Sequence, residues 1–240
     1  MAEHWVREAK RAPIRELFAE PLGDGEVAYV FLGWAGILLR TKDHAIAFDL
    51  CRYNFKRPEV KEIASLDVHC YSHTHGDHWH PSLAKAIRHA TGAPTLIEPA
   101  ILEQLGTLSS GDVTPVRPGE PISIGDLTVR GVTGIHPRPI TLFHVEAPEL
   151  RVFHGADSDH VPLSEFPADL AFVPVGAPSP SCSPESAVAM ARDVGARVVV
   201  AVHGAIGQLE AFRDLASSEL PEAQVLIPNT CEIIKIEIPG

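Results

Sequence analysis

The sequence predicts an α/β domain, and three observations carry that prediction. Residues 26–50 hold three β-rich apolar runs joined by short turns. From residue 81 onward, apolar runs of strand length alternate with segments of helical period, the order that lays helices over a sheet. At 240 residues, 45% of them apolar, the chain has material for one full core. No residue repeat, linker or low-complexity stretch interrupts it, so residues 1–240 read as a single domain.

The elements follow in order. Residues 1–20, with Trp5, Val6, Ile14, Leu17 and Phe18 among scattered charges, form a helical or irregular lead-in, and residues 21–25 a turn. Residues 26–32, 36–40 and 45–50 read as an antiparallel meander, with Thr41, Lys42 and Asp43 turning between the last two. Asp49 closes that meander, and an acid in this position reads on its own as a turn or helix cap. The polar stretch 51–62, with Arg52, Lys56 and Arg57, reads as a solvated loop that could touch an anionic substrate. After the apolar run Val68–Tyr71, residues 81–90 place Leu83, Ala86 and Ile87 on one helical face. Residues 95–97 form a buried strand and 99–105 a short helix stopped at Gly106. Strands at 113–116 and 121–132, broken by Gly-containing turns, lead to a hairpin of 141–145 with 150–153. An apolar strand at 168–175, a Pro/Ser loop at 176–184 and a helix at 185–194 come next. A buried strand at 197–202, a helix at 209–215 and strands at 225–226 and 233–238 close the chain.

The chemistry concentrates in residues 72–80, where His73, His75, His78 and His80 flank Asp77. Neutral imidazole is the commonest side-chain metal ligand, and a carboxylate adds the charge that holds a divalent ion. A lone histidine is more often a hydrogen-bonded core or surface residue, but crowded imidazoles without a metal gain nothing from one another. If a strand ends near Tyr71, His73 and His75 point the same way from extended backbone and reach one ion. Asp77 and His78, on the turn that follows, reach a second, near the helix start that Pro81 favours. Elsewhere, His136 follows a strand and precedes Pro137 and Pro139, which would fix its ring, yet one loop histidine is weak support for a ligand. His203 ends a buried strand, where a structural role is equally natural.

The run His73-Thr74-His75-Gly76-Asp77-His78 resembles the signature of the metallo-β-lactamase superfamily, and further matches downstream extend the resemblance over nearly the whole chain. It implies a four-layer αβ/βα sandwich with a one- or two-metal hydrolytic site along one edge. Within it, Asp49 matches an acid that supports the metal loop from behind rather than binding the ion. His136 matches the third-motif histidine that completes the first ion's imidazole set. Asp157 matches the carboxylate that bridges both ions, with Ala156 in place of the usual Gly and Ser158 in place of Thr; Asp159 is the second choice. His203 matches the last motif, whose histidine binds the second ion. The implied sites are His73, His75 and His136 for one ion and Asp77, His78 and His203 for the other, with Asp157 between them.

Three imidazoles with an open position suit a catalytic ion rather than a closed structural one. The cofactors implied are two divalent metal ions, zinc foremost, with manganese or iron as alternatives. A water shared between two cations loses a proton near neutral pH and becomes a nucleophile, and Asp77 is the catalytic group that would carry a proton to the leaving group. Arg138 is a candidate for binding a substrate anion, with a plain surface arginine as the alternative.

The expected activity is metal-dependent hydrolysis of a small ester, lactone or phosphoester. A nuclease or phosphodiesterase, or a redox or non-catalytic metal protein on the same fold, is the alternative. The net charge of −11 argues against nucleic acid, which needs clustered Lys and Arg. The charged start has no apolar signal core, and no run reaches the roughly eighteen apolar residues of a membrane helix, so no membrane partner and a cytoplasmic location are expected. A homo-oligomer is left open. The third motif lacks the glyoxalase-II-like pattern, and the compact spacing of His136 and Asp157 is more similar to the cytoplasmic branch containing ascorbate-phosphate lactonase. Cys51, Cys70, Cys182 and Cys231 are widely spaced and expected as free thiols, mostly buried, with Cys182 the one expected at the surface. Trp34, Trp79 and Phe143 are expected mainly in the core, with a pocket wall as the other use.

Overall fold

Apolar runs without polar alternation must be covered on both faces, and this chain does so by stacking two sheets and lining each outer face with helices. The computed structural model describes residues 10–177 and 179–238; Trp5 and Val6 of the expected lead-in lie outside them. After the short helix α1 (Ile14–Ala19) come β1 (Glu26–Gly33), β2 (Gly36–Arg40), β3 (Ala45–Phe48) and β4 (Val68–Tyr71). Helix α2 (Pro81–Thr91), β5 (Thr95–Ile97), β6 (Val113–Pro115), β7 (Ile122–Ile124), β8 (Leu127–Thr133), β9 (Thr141–Glu146) and β10 (Arg151–His154) follow. The last elements are β11 (Leu170–Pro174), α3 (Pro184–Asp193), β12 (Val198–Val202), α4 (Ile206–Glu219), β13 (Gln224–Leu226) and β14 (Ile233–Glu237).

One seven-stranded sheet runs β14-β1-β2-β3-β4-β5-β6, and a second runs β13-β12-β11-β10-β9-β8-β7. Each begins as an antiparallel meander and continues parallel: β3 to β6 in the first, β10 to β13 in the second. Alternation along β1 shows how one strand serves two layers. Val27, Tyr29 and Phe31 face the core between the sheets, while Ala28, Val30 and Leu32 face α1 and α2. Across the central core, Tyr29 and Phe172 meet edge-on with ring centroids 5.3 Å apart. On the far side of the second sheet, Met190 of α3 and Phe212 of α4 seal Ala171, Val173 and Val199. This is the four-layer sandwich that the sequence implied.

The departures are local. The stretch 51–62 is not simply solvated: Asn54, Phe55, Glu59 and Val60 are buried, and Arg57–Glu62 winds into a 3-10 helix. Glu59 accepts from the Lys56 and Ala12 amides, at 2.7 and 2.9 Å, so its buried carboxylate is satisfied. Helix α4 is longer than the expected 209–215, its first turn closed by the Ala205 amide donating to Gln208 Oε1 at 3.1 Å. Cys182 is buried rather than exposed; burial raises its thiol to about 12. Phe143 lies in the central core, and Trp79 is buried with Nε1 donating to the Gln104 carbonyl, whereas Trp34 stays half-buried.

Candidate metal centre

The C-terminal ends of the strands converge on one edge, as expected of open α/β sheets. Asp49 follows β3, the metal-ligand run follows β4, His136 follows β8, Asp157 follows β10 and His203 follows β12. Three of these turns use left-handed backbone at non-glycine residues: Asp49 at φ 48°, Ala156 at 53° and His203 at 50°. Such conformations persist only where the surroundings enforce them. Gly204 shows the crowding, since a Cβ there would fall 2.1 Å from Val175 Cγ2.

Two groups form. His73, His75, His136 and Asp157 each place a ligand atom within 4.8 Å of the others, and so do Asp77, His78 and His203. The rings of His73, His75 and His136 stand 4.7–4.9 Å apart, centroid to centroid, and His78 Nε2 lies 3.3 Å from His203 Nε2. Asp157 sits between the groups. Its Oδ2 is 3.6 Å from His136 Nε2, 3.7 Å from His78 Nε2 and 3.8 Å from His203 Nε2, and its Oδ1 is 3.6 Å from His73 Nδ1. Asp159 points elsewhere, accepting from the His160 amide and the Ser186 hydroxyl, which separates it from the role open between it and Asp157.

Behind the groups stands a polar frame. His78 Nδ1 donates to Asp49 Oδ2 at 2.8 Å, and Ser72 donates to Asp49 through its amide (2.8 Å) and its hydroxyl (2.7 Å). Ser72 Oγ also lies 3.0 Å from His73 Nδ1, so one buried acid orients two neighbouring imidazoles. His136 Nδ1 faces the backbone of Arg138, 3.3 Å from its carbonyl and 3.2 Å from its amide, which turns Nε2 inward. The Arg138 side chain itself is exposed beside this loop. Ser158 Oγ accepts from the Ile135 amide at 2.8 Å, and the Asp159 amide donates to the Ile135 carbonyl at 2.9 Å, tying the His136 loop to the Asp157 loop. Ser158 stands where the motif's Thr was matched, but Ser72 and Ser179, whose hydroxyl donates to the Asp157 carbonyl at 2.8 Å, carry no sequence signal of their own.

The chemistry of the donors fits divalent ions. Among the described residues, His73 Nε2, His136 Nε2 and Asp157 Oδ1 are buried without a hydrogen-bond partner, a costly state that an ion in the first group would relieve. Burial keeps His73 and His203 well below the ordinary imidazole range and lowers His136 to about 4, so these rings offer lone pairs at neutral pH. Burial raises Asp157 to about 6. It would lower His78 as well, but Asp157, Asp49 and Asp77 outweigh it and hold the metal-free ring at about 9. The three carboxylates that hold a proton on His78 would equally favour a metal cation beside it.

Residues 47–204 match the family model of the β-lactamase superfamily domain. The chain belongs to the β-lactamase superfamily. By sequence it matches no curated protein. Among solved structures it is similar to Igni18, a metallo hydrolase from Ignicoccus hospitalis, at 18% identity and TM-score 0.73 over 89% of this chain and all of that one. It is also similar to the metallo-β-lactamase fold protein YhfI from Bacillus subtilis, at 18% identity and TM-score 0.67 over 89% of this chain and all of that one. CmlA, a diiron β-hydroxylase from Streptomyces venezuelae, aligns at 16% identity and TM-score 0.68 over 91% of this chain and 55% of its own. At these identities the likeness speaks for the fold. Family and ligand cluster together make the chain a metal-dependent hydrolase of the metallo-β-lactamase type.

Proposed function

We propose that the chain hydrolyses a small ester, lactone or phosphoester at a two-metal centre, nearest in kind to the lactonase-like cytoplasmic branch of its superfamily. The observation that carries this reading is Asp157, set between two three-residue donor groups, with a buried Oδ1 that has no hydrogen-bond partner among the described residues. His73, His75 and His136 would hold one ion, Asp77, His78 and His203 the other, with Asp157 shared. Bound there, divalent ions, zinc or manganese, would supply Lewis acidity and make a water nucleophilic at neutral pH.

The chain's own residues do the remaining work. Asp49 and Ser72 fix the rings of His73 and His78 before substrate arrives, which removes reorganisation from the reaction. Asp77, whose side chain is 25% exposed, would carry a proton to the leaving group. The exposed Arg138, two positions after His136, would meet an anionic part of the substrate. A screen of aryl esters, lactones and bis-aryl phosphodiesters with zinc- and manganese-loaded protein tests the reading. Turnover of one class, lost in His75→Ala and Asp77→Asn, is the expected result. No turnover by protein of full metal content would refute it, and oxygen-dependent chemistry with iron would replace it by the redox alternative.

A further inference from the structure

Among the described residues, four large apolar side chains are exposed: Tyr53, Leu102, Ile135 and Ile206. Scattered singly they would need no explanation. Three of them are not scattered. Ile135 immediately precedes His136 and is 52% exposed; Ile206 begins α4 three positions after His203 and is 46% exposed. Tyr53 is 43% exposed, and its Cε2 lies 3.6 Å from where a Cβ would stand on Gly76, between His75 and Asp77.

Their placement is enforced. Both backbone polar groups of Ile135 are engaged by the Asp157 loop, which leaves its side chain outward. Trp34, at φ 51°, accepts the His203 amide through its carbonyl at 3.1 Å and sets its ring 5.9 Å from that of Tyr53. The Arg52 guanidinium lies over the tyrosine ring, 4.7 Å from its centroid, with Nη2 donating to the hydroxyl at 2.6 Å. The metal-ligand loops therefore carry an apolar rim, and at Trp34 that rim is held in strained backbone.

We propose that Trp34, Tyr53, Ile135 and Ile206 form the specificity rim of the centre and receive an uncharged alkyl or aryl group attached to the hydrolysed bond. The substrate class is then an ester or lactone with an apolar acyl or aryl part, rather than a highly charged phosphoester. This rests on the proposed metal centre and deepens it.

The test uses zinc-loaded full-length protein and linear alkyl hydroxamates from acetyl to octanoyl, whose head group is directed to metal while only the tail changes. Binding is read by calorimetry, independent of turnover. Affinity should rise about threefold per added methylene over the first few carbons. In Tyr53→Ser/Ile135→Ser/Ile206→Ser that dependence should fall below about 1.5-fold per methylene. The single variant Ile206→Ser should fall between, and Leu102→Ser should keep the full dependence. Binding independent of tail length, or a dependence that survives in the triple variant, would overturn the rim. No binding of any hydroxamate to the loaded protein would instead sink the metal-centre reading beneath it.

Discussion

Asp49 and His78, 29 positions apart in the chain, meet at 2.8 Å in a fully buried hydrogen bond, and the same carboxylate takes both donors of Ser72. A buried acid so engaged sets the direction of His78 Nε2 and anchors the start of the metal loop. Asp49→Asn keeps the shape but loses the charge and the acceptor facing His78. Metal affinity, measured by competition with a chromophoric chelator, should fall about 10- to 100-fold, as for other partners of ligating histidines. Unchanged affinity would remove Asp49 from the metal centre.

Asp157 and Asp159 make opposite predictions. Asp157 lies within 3.8 Å of nitrogens from both donor groups, whereas Asp159 is spent on Ser186 and the His160 amide. Asp157→Asn should lose metal from both positions, while Asp159→Asn should keep metal and lose about 1–3 kcal/mol of stability from the broken loop contacts. Metal analysis beside urea unfolding of each variant decides between them.

The two sheets are also joined away from the centre. His44, in the β2–β3 turn, reaches Glu149 Oε1 with Nδ1 at 2.7 Å and Asp126 Oδ1 with Nε2 at 2.9 Å. Burial disfavours its charge, but the two carboxylates prevail and raise its pKa above the ordinary 6.5. A raised folded-state pKa means stabilisation complete below the unfolded value and lost as pH climbs through the folded one. Tm should therefore exceed that of His44→Gln by about 2–4 °C near pH 6, and the gap should narrow toward pH 9. A gap constant across that range would show that His44 is uncharged in the clamp.

In the central core, Phe172 is fully buried against Tyr29 and belongs to β11, the middle of the second sheet's parallel half. Phe172→Ala opens a cavity between the sheets and should cost about 3–5 kcal/mol in urea unfolding at matched metal content. A cost below about 1 kcal/mol would mean the sheets close over the gap.

Most of this architecture was legible because strands buried on both faces announce themselves as unbroken apolar runs, as in β1, β11 and β12. The metal-ligand run was legible because imidazoles crowd in sequence as they do in space. Asp49 was not, on its residue alone: an acid after a strand reads as a cap, and its partner is remote in sequence. Ser72 and Ser179 act through hydroxyls that any loop serine could offer. Cys182 was misplaced because a Pro/Ser loop looks solvated, whereas here its thiol donates inward to the Gly176 carbonyl at 3.4 Å. The extra turns of α4 were hidden by Gly207 at its start and by Ser217 and Ser218 near its end, residues that weaken a helical pattern without forbidding it.

The central claim, that this edge holds a pair of ions, is tested most directly by metal content. Plasma mass spectrometry on the protein purified without added metal, with His75→Ala beside it, should give about two zinc or manganese ions per chain and a clear loss in the variant. One ion would reduce the centre to a mononuclear site. No bound metal, even after zinc and manganese are supplied in excess, would contradict the account at its root.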